Sequence, residues 1–203
     1  MRQPKPKRER RPPARPTEAL LHEAALNHLA RFAATEAGLK RVLGNRVRRW
    51  AQAALRSGAE AEEDVAAHEA AARGWAAAIA ARLVQAGAVN DAAFAEARAR
   101  RLLRGGRSAR GALAHLAQKG VDAETARDAL AADDVPDEGL AALMFCRRRR
   151  IGPFAPEGAA ADADRDTRLK WLAALARAGF PREVADAALR TPRDAAEERV
   201  RRA

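Results

Sequence analysis

Few residues in this chain could make or break a covalent bond, and none is spaced to do so. His22, His28, His68 and His115 do not fall at metal-ligand spacing, and the single cysteine, Cys146, can complete neither a zinc knuckle nor an intramolecular disulfide. Cys146 follows Leu140, Leu143, Met144 and Phe145, which predicts a buried apolar thiol rather than a nucleophile. Gly105-Gly106-Arg107-Ser108 is glycine-rich, but it follows a helical pattern and lacks the lysine of a phosphate-binding loop. Asp133-Asp134 falls in a turn. No catalytic residue, metal or cofactor is expected, and the chain does not read as an enzyme.

The chemistry that remains is the recognition of negative charge. Formal net charge is +11 over 203 residues and the pI is about 11.2, which points to a polyanionic partner. Between Ala97 and Val121 stand Arg98, Arg100, Arg101, Arg104, Arg107, Arg110 and Lys119, with no acid among them. At 100° per residue Arg100, Arg101 and Arg104 share one helix face, while Phe94, Ala95, Ala99, Leu102 and Leu103 hold the opposite half-turn. Arg98 falls nearer the apolar side, where its stem can snorkel. This face suits phosphate or an acidic protein groove; an ordinary solvated face, or pairing with the acid-rich Asp122–Glu138 segment, would explain it structurally. Arg147, Arg148, Arg149 and Arg150 form a second candidate. Four consecutive arginines point around most of a helix end, and cations there also complement the helix dipole. Trp50, Trp75 and Trp171 lie at helical spacing among Ala and Leu, so core packing is expected for them rather than base stacking.

The elements that must position these groups are helices. Apolar residues make up 48% of the chain but alanine supplies much of that share, and aromatics are only 4%. Alanine favours helix and buries little area per side chain, so short helices stacked in an elongated array are expected over a thick-cored globule. No segment alternates β-branched and polar residues long enough to read as strand. The fold class is all-α. No apolar run reaches membrane-spanning length and the N-terminus lacks a signal-type apolar stretch, so a cytoplasmic, monomeric protein is expected.

An internal repeat organises the helices. Leu113, Leu116, Gly120, Val121, Glu124, Ala126, Ala129 and Leu130 recur 59 residues later as Leu172, Leu175, Gly179, Phe180, Glu183, Ala185, Ala188 and Leu189. Each copy describes a helix closed by a left-handed glycine, an apolar residue over that end, and a second helix begun by Asp122 or Pro181. A further helix precedes each pair, Asp91–Arg104 in one case and Asp137–Arg150 in the other. Upstream, Leu39, Val42 and Val47 keep the apolar spacing without the glycine. There a helix Glu18–Ala33 is followed by a long helical region, broken near Ser57-Gly58, that ends at Ala86-Gly87; Glu60–Asp64 reads as an acidic surface insertion. Three tandem three-helix repeats are expected, 17–88, 89–133 and 134–191, the last with an inserted loop at 151–164. A basic arm of five prolines and seven cations, expected to be disordered, occupies 1–16, and a basic tail 192–203.

Gly87-Ala-Val-Asn-Asp91-x2-Phe94-Ala95, Gly106-Arg107-Ser-Ala-Arg110, Leu116-x2-Lys119-Gly120-Val121 and Arg177-Ala178-Gly179-Phe180 appear in an order and at spacings that resemble the RecX regulatory family. The second glycine often seen in that family's loop is Ser108 here. The resemblance implies a non-catalytic modulator that lodges along the groove of the RecA–DNA filament, lowering recombinase, ATPase and coprotease output. It implies RecA and the DNA within its filament as partners, with no membrane involved. A helical DNA-binding protein without RecA specificity is the alternative that the charge alone would equally support.

Overall fold

The computed structural model describes residues 13–58, 60–156 and 165–202. Most of the basic arm read at 1–16 and the second half of the loop read at 151–164 lie outside the described residues. Among the described residues the structure is all-helical, with ten α-helices, one short 3-10 helix and no strand. They form two compact units, one ending at Asn90 and the other beginning at Asp91.

The first unit holds α1 (Glu18–Leu29), α2 (Glu36–Ser57) and α3 (Glu62–Gln85). Helix α1 stops at Leu29 rather than Ala33. The reason is Thr35, which must be extended to cap α2; its buried hydroxyl accepts the Gly38 N–H at 2.9 Å. The long helical region does break at Gly58, whose φ of +64° gives α2 a left-handed cap. Glu62, Glu63 and Asp64, read as part of an acidic insertion, are instead the first turn of α3, where they face the positive end of its dipole. Leu21, Leu39, Leu43, Val47, Ile79 and Leu83 make the main core. Trp50 is buried as expected, edge-on to His68 at 4.8 Å, and half-buried Trp75 meets the same imidazole edge-on at 5.6 Å.

The second unit runs from α4 (Asp91–Arg104) through α5 (Ala109–Lys119), α6 (Ala123–Ala131) and α7 (Glu138–Arg149). It continues with the 3-10 helix Gly152–Phe154, α8 (Arg165–Arg177), α9 (Arg182–Arg190) and α10 (Arg193–Arg201). The 59-residue repeat is visible in its hydrogen bonds. Gly120 and Gly179 sit at φ +87° and +90°, and in each copy the next apolar amide, Val121 or Phe180, reaches back to Leu116 or Leu175 at 3.1 Å. Asp122 caps α6 through the Glu124 and Thr125 amides. The residues read as a basic tail form α10. Two of its three acids pair with its own arginines, Glu197 with Arg193 and Glu198 with Arg201, while Ala196 and Val200 enter the core of α7, α8 and α9. Composition hid this helix because its apolar stripe is only two residues wide.

Alanine sets the packing. Ala95, Ala99, Ala126 and Ala129 bring α4 against α6, and Ala141, Ala142, Ala185 and Ala188 bring α7 against α9. Small side chains let the helix backbones approach, so little area is buried per residue along these two seams.

Candidate nucleic-acid interface

Helix α4 is amphipathic by sequence, and its buried side is Ala95, Ala99 and Leu103. Burying that stripe turns Arg101 and Arg104 to solvent. The helix then ends in Gly105-Gly106. Gly106 has φ +73° and lies so close to α7 that a Cβ there would stand 2.6 Å from the Phe145 amide nitrogen. Only glycine satisfies both demands. The turn thereby seats the end of α4 directly on the backbone of α7, and the arginines of both helices meet. Arg148 donates to the Gly105 carbonyl at 2.7 Å. The Arg148 and Arg149 guanidinium groups also lie 5.6 and 5.8 Å from the Phe145 ring centroid.

The result is a cleft of about 420 Å³ whose rim carries Arg98, Arg101, Arg107 and Arg148 around Gly105 and Gly106. Four of the eleven sequence-predicted residues come together here. Arg100 turns away to pair with Asp134 of the acid-rich segment, as the structural alternative expected, and Glu138 of that segment accepts the Ala109 N–H at 3.1 Å. Among the described residues no carboxylate pairs with Arg101, Arg104, Arg107 or Arg110. Lys119 closes α5, half-buried. Arg147 leaves the group for a separate cleft of about 320 Å³ with Phe154, Glu197 and Arg201. Arg150 is the left-handed cap of α7 at φ +53°, a position that glycine occupies at the ends of α2 and α5. Arg147, Arg148 and Arg150 are thus divided between two clefts and a cap, while Arg149 lies over the Phe145 ring, as their 100° spacing around one helix end requires.

Two participants were not singled out from sequence. Ser108 is fully buried and bridges the two helix triples of this unit. Its hydroxyl accepts the Gly111 N–H at 3.1 Å, capping α5, and donates to the Ala178 carbonyl at 2.7 Å. The cap position before Ala109 was a readable signal; the distant carbonyl was not. His115 accepts a hydrogen bond from Arg98 Nε at 2.9 Å. Its burial, followed by the charges of Arg98, Arg107 and Lys119, holds its pKa below the ordinary 6.5. A neutral imidazole is what Arg98 needs as acceptor, so this histidine orients one of the cleft arginines without competing for an anion.

Nothing in this arrangement is built for bond-making. Cys146 lies in the core, where desolvation pushes its thiol up to about 12. Among the described residues no His, Cys, Asp and Glu cluster could hold a metal ion, and no helix is long and apolar enough to cross a membrane. What the site can do is bind an anion electrostatically, with fixed guanidinium donors.

Comparison with known proteins gives a consistent picture. The family profile for the second three-helix domain of RecX matches residues 90–130, which hold α4, α5 and most of α6. A regulatory protein RecX from Myxococcus xanthus (strain DK1622) is 38% identical over 181 residues, covering 87% of this chain and 89% of that protein. A second, from Agrobacterium fabrum (strain C58), is 36% identical over 97 residues, 48% of this chain and 49% of the relative. The crystal structure of RecX from Lactobacillus salivarius superposes with a TM-score of 0.53 at 20% identity, covering 85% of this chain and 94% of that one, and so shares the fold. The 38% identity to the Myxococcus protein, along nearly the whole length of both chains, is decisive: the chain belongs to the RecX family of regulatory proteins.

Proposed function

We propose that this protein binds the RecA–DNA filament in the cytoplasm and lowers its recombinase, ATPase and coprotease output, without chemistry of its own. The observation that carries the reading is the cleft of Arg98, Arg101, Arg107 and Arg148 on an all-helical RecX chain, flanked by Arg104 and Arg110 that no described carboxylate neutralises. Phosphates of the filament DNA, or acidic side chains of RecA, are the ligands such a cleft takes. Tandem three-helix repeats over 17–88, 89–133 and 134–191 would engage neighbouring protomers of a partner that is itself repetitive, multiplying weak contacts into avidity.

The test is ATP hydrolysis by RecA on single-stranded DNA. Substoichiometric protein lowers the rate, and the triple variant Arg101→Gln, Arg104→Gln, Arg107→Gln loses that effect while melting like the parent. Unchanged hydrolysis at equimolar protein would overturn the proposal. The general DNA-binding alternative is favoured by the charge of +11. It predicts inhibition only through competition for bare DNA, with a salt slope of about −0.9 per neutralised phosphate on duplex. Adding the protein to preformed filaments separates the two, since a filament modulator acts there without first binding free DNA tightly.

A further inference from the structure

Positive charge in this chain is not confined to α4 and α7. From residue 37 to 57, α2 carries Lys40, Arg41, Arg46, Arg48, Arg49 and Arg56 and no acid. Its buried residues are Leu39, Leu43, Val47, Trp50 and Ala51. At 100° per residue Arg41, Arg48, Arg49 and Arg56 project from the side opposite that stripe. Where α2 packs on α3 there is a cleft of about 320 Å³ bordered by Lys40, Arg41, Gly44, Asn45, Arg48 and Arg73.

The cleft has no acid on its rim. Glu36 pairs with Lys40 at 2.6 Å and Glu69 with Arg73 at 2.6 Å, but neither carboxylate borders the opening. Arg48 is held by the Asn45 side-chain oxygen at 2.6 Å, a neutral acceptor that fixes the guanidinium and leaves its charge intact. Gly44 lies at the edge of the same space, and a Cβ built there would meet nothing within 4 Å. A helix-interior glycine costs stability relative to alanine, and a side chain built at this one enters open space at the edge of the cleft.

We propose that the α2–α3 cleft is a phosphate-binding site that grips the backbone of a nucleic-acid strand, separate from the arginine cleft of the second unit. A strand is favoured over an isolated phosphate because the positive face continues beyond the cleft. Arg48 and Arg56 stand eight residues apart on one helix, roughly 12 Å at 1.5 Å per residue, so they can follow successive phosphates rather than surround one. The site is defined without reference to RecA, so it can fail while the filament reading stands, and the converse also holds.

Gly44 supplies the test. Gly44→Glu sets a carboxylate at the mouth of the cleft, and Gly44→Gln adds the same bulk without charge. Both raise helix propensity, so folding is not endangered. Binding of the full chain to a fluorescent thymidine oligonucleotide is measured by anisotropy across a salt series, in the absence of RecA. Gly44→Glu weakens binding about fivefold, the effect of a like charge roughly 6 Å from a phosphate at an effective dielectric of about 60. Gly44→Gln stays near the parent. Arg48→Gln lowers the magnitude of the salt slope by about 0.7. Equal affinities for Gly44→Glu and Gly44→Gln overturn the proposal. So does a Gly44→Glu variant that binds DNA normally but loses affinity for RecA alone, which would make the cleft a docking point for an acidic protein.

Discussion

Replacing Gly106 by alanine tests whether the arginine cleft depends on the seat of the α4–α5 turn. At φ +73° a Cβ costs about 1–2 kcal/mol in backbone strain. The added methyl also stands 2.6 Å from the Phe145 nitrogen, 2.9 Å from the Met144 carbonyl carbon and 3.0 Å from the Phe145 Cα. All three are main-chain atoms of a helix, so no rotamer change relieves the overlap, and overpacking adds about 1–3 kcal/mol. The sum is about 3 kcal/mol. Gly87→Ala is the control, because Gly87 has φ +71° but nothing within 4 Å of its Cβ, and strain alone should cost about 1 kcal/mol. Urea unfolding followed by circular dichroism reads both, and the Gly106 variant loses about 12 °C in the melting of the second unit. As the turn lifts from α7, the Arg148 bond to the Gly105 carbonyl is lost and DNA binding through that cleft weakens in parallel. Equal costs for the two alanines, or intact binding in a Gly106→Ala protein that has lost 3 kcal/mol, would refute the reasoning.

Three further outcomes follow from the titrating groups. His115 has a lowered pKa, through burial first and then the charges of Arg98, Arg107 and Lys119, so the unfolded chain takes up its proton before the folded one. Stability from this residue is complete above pH 6.5 and falls as pH drops below it; His115→Gln flattens the dependence in a urea series from pH 7.5 to 5. Desolvation pushes the Asp137 carboxyl up, but bonds from the Leu140 amide and Arg199, the Arg199 charge and the Gly139 amide outweigh it, and the pKa lies below the ordinary 3.8. Its contribution is therefore present above pH 3.8 and lost as pH falls through the lower folded value. Arg199→Gln narrows the loss, seen as a smaller drop in melting temperature between pH 5 and 3. Cys146, raised to about 12, stays unmodified by iodoacetamide at pH 8 in the folded protein and reacts on addition of urea, as mass spectrometry will show.

Much of this molecule was legible because its helix ends are written in residue types. Gly120 and Gly179 announce left-handed caps, Asp122 announces a helix start, and the structure has both. The basic stripe of α4 was equally readable, since burying Ala95, Ala99 and Leu103 leaves Arg101 and Arg104 no other direction. Three features resisted. The pairing of Arg98 with His115 and the donation from Ser108 to Ala178 span 17 and 70 residues, and no local period encodes such a separation. The arginines at 147–150 were expected to point around a helix end, but which cleft or cap each one joins depends on elements distant in sequence. The α2 cleft went unremarked because its cations are mixed with apolar positions, and only packing against α3 brings Arg73 beside Arg48.

Ser108 shapes how the second unit comes apart. A row of helical modules joined by soft loops can unzip from one end, each module melting on its own. Here one hydroxyl ties the start of α5 to the close of α8, and the neighbouring glycine presses the same turn onto α7. Neither triple can loosen without stripping a buried polar group from the other, so the block should stand or fall whole. A partner gripping only the Arg101 and Arg104 side would then be holding a block that does not yield locally.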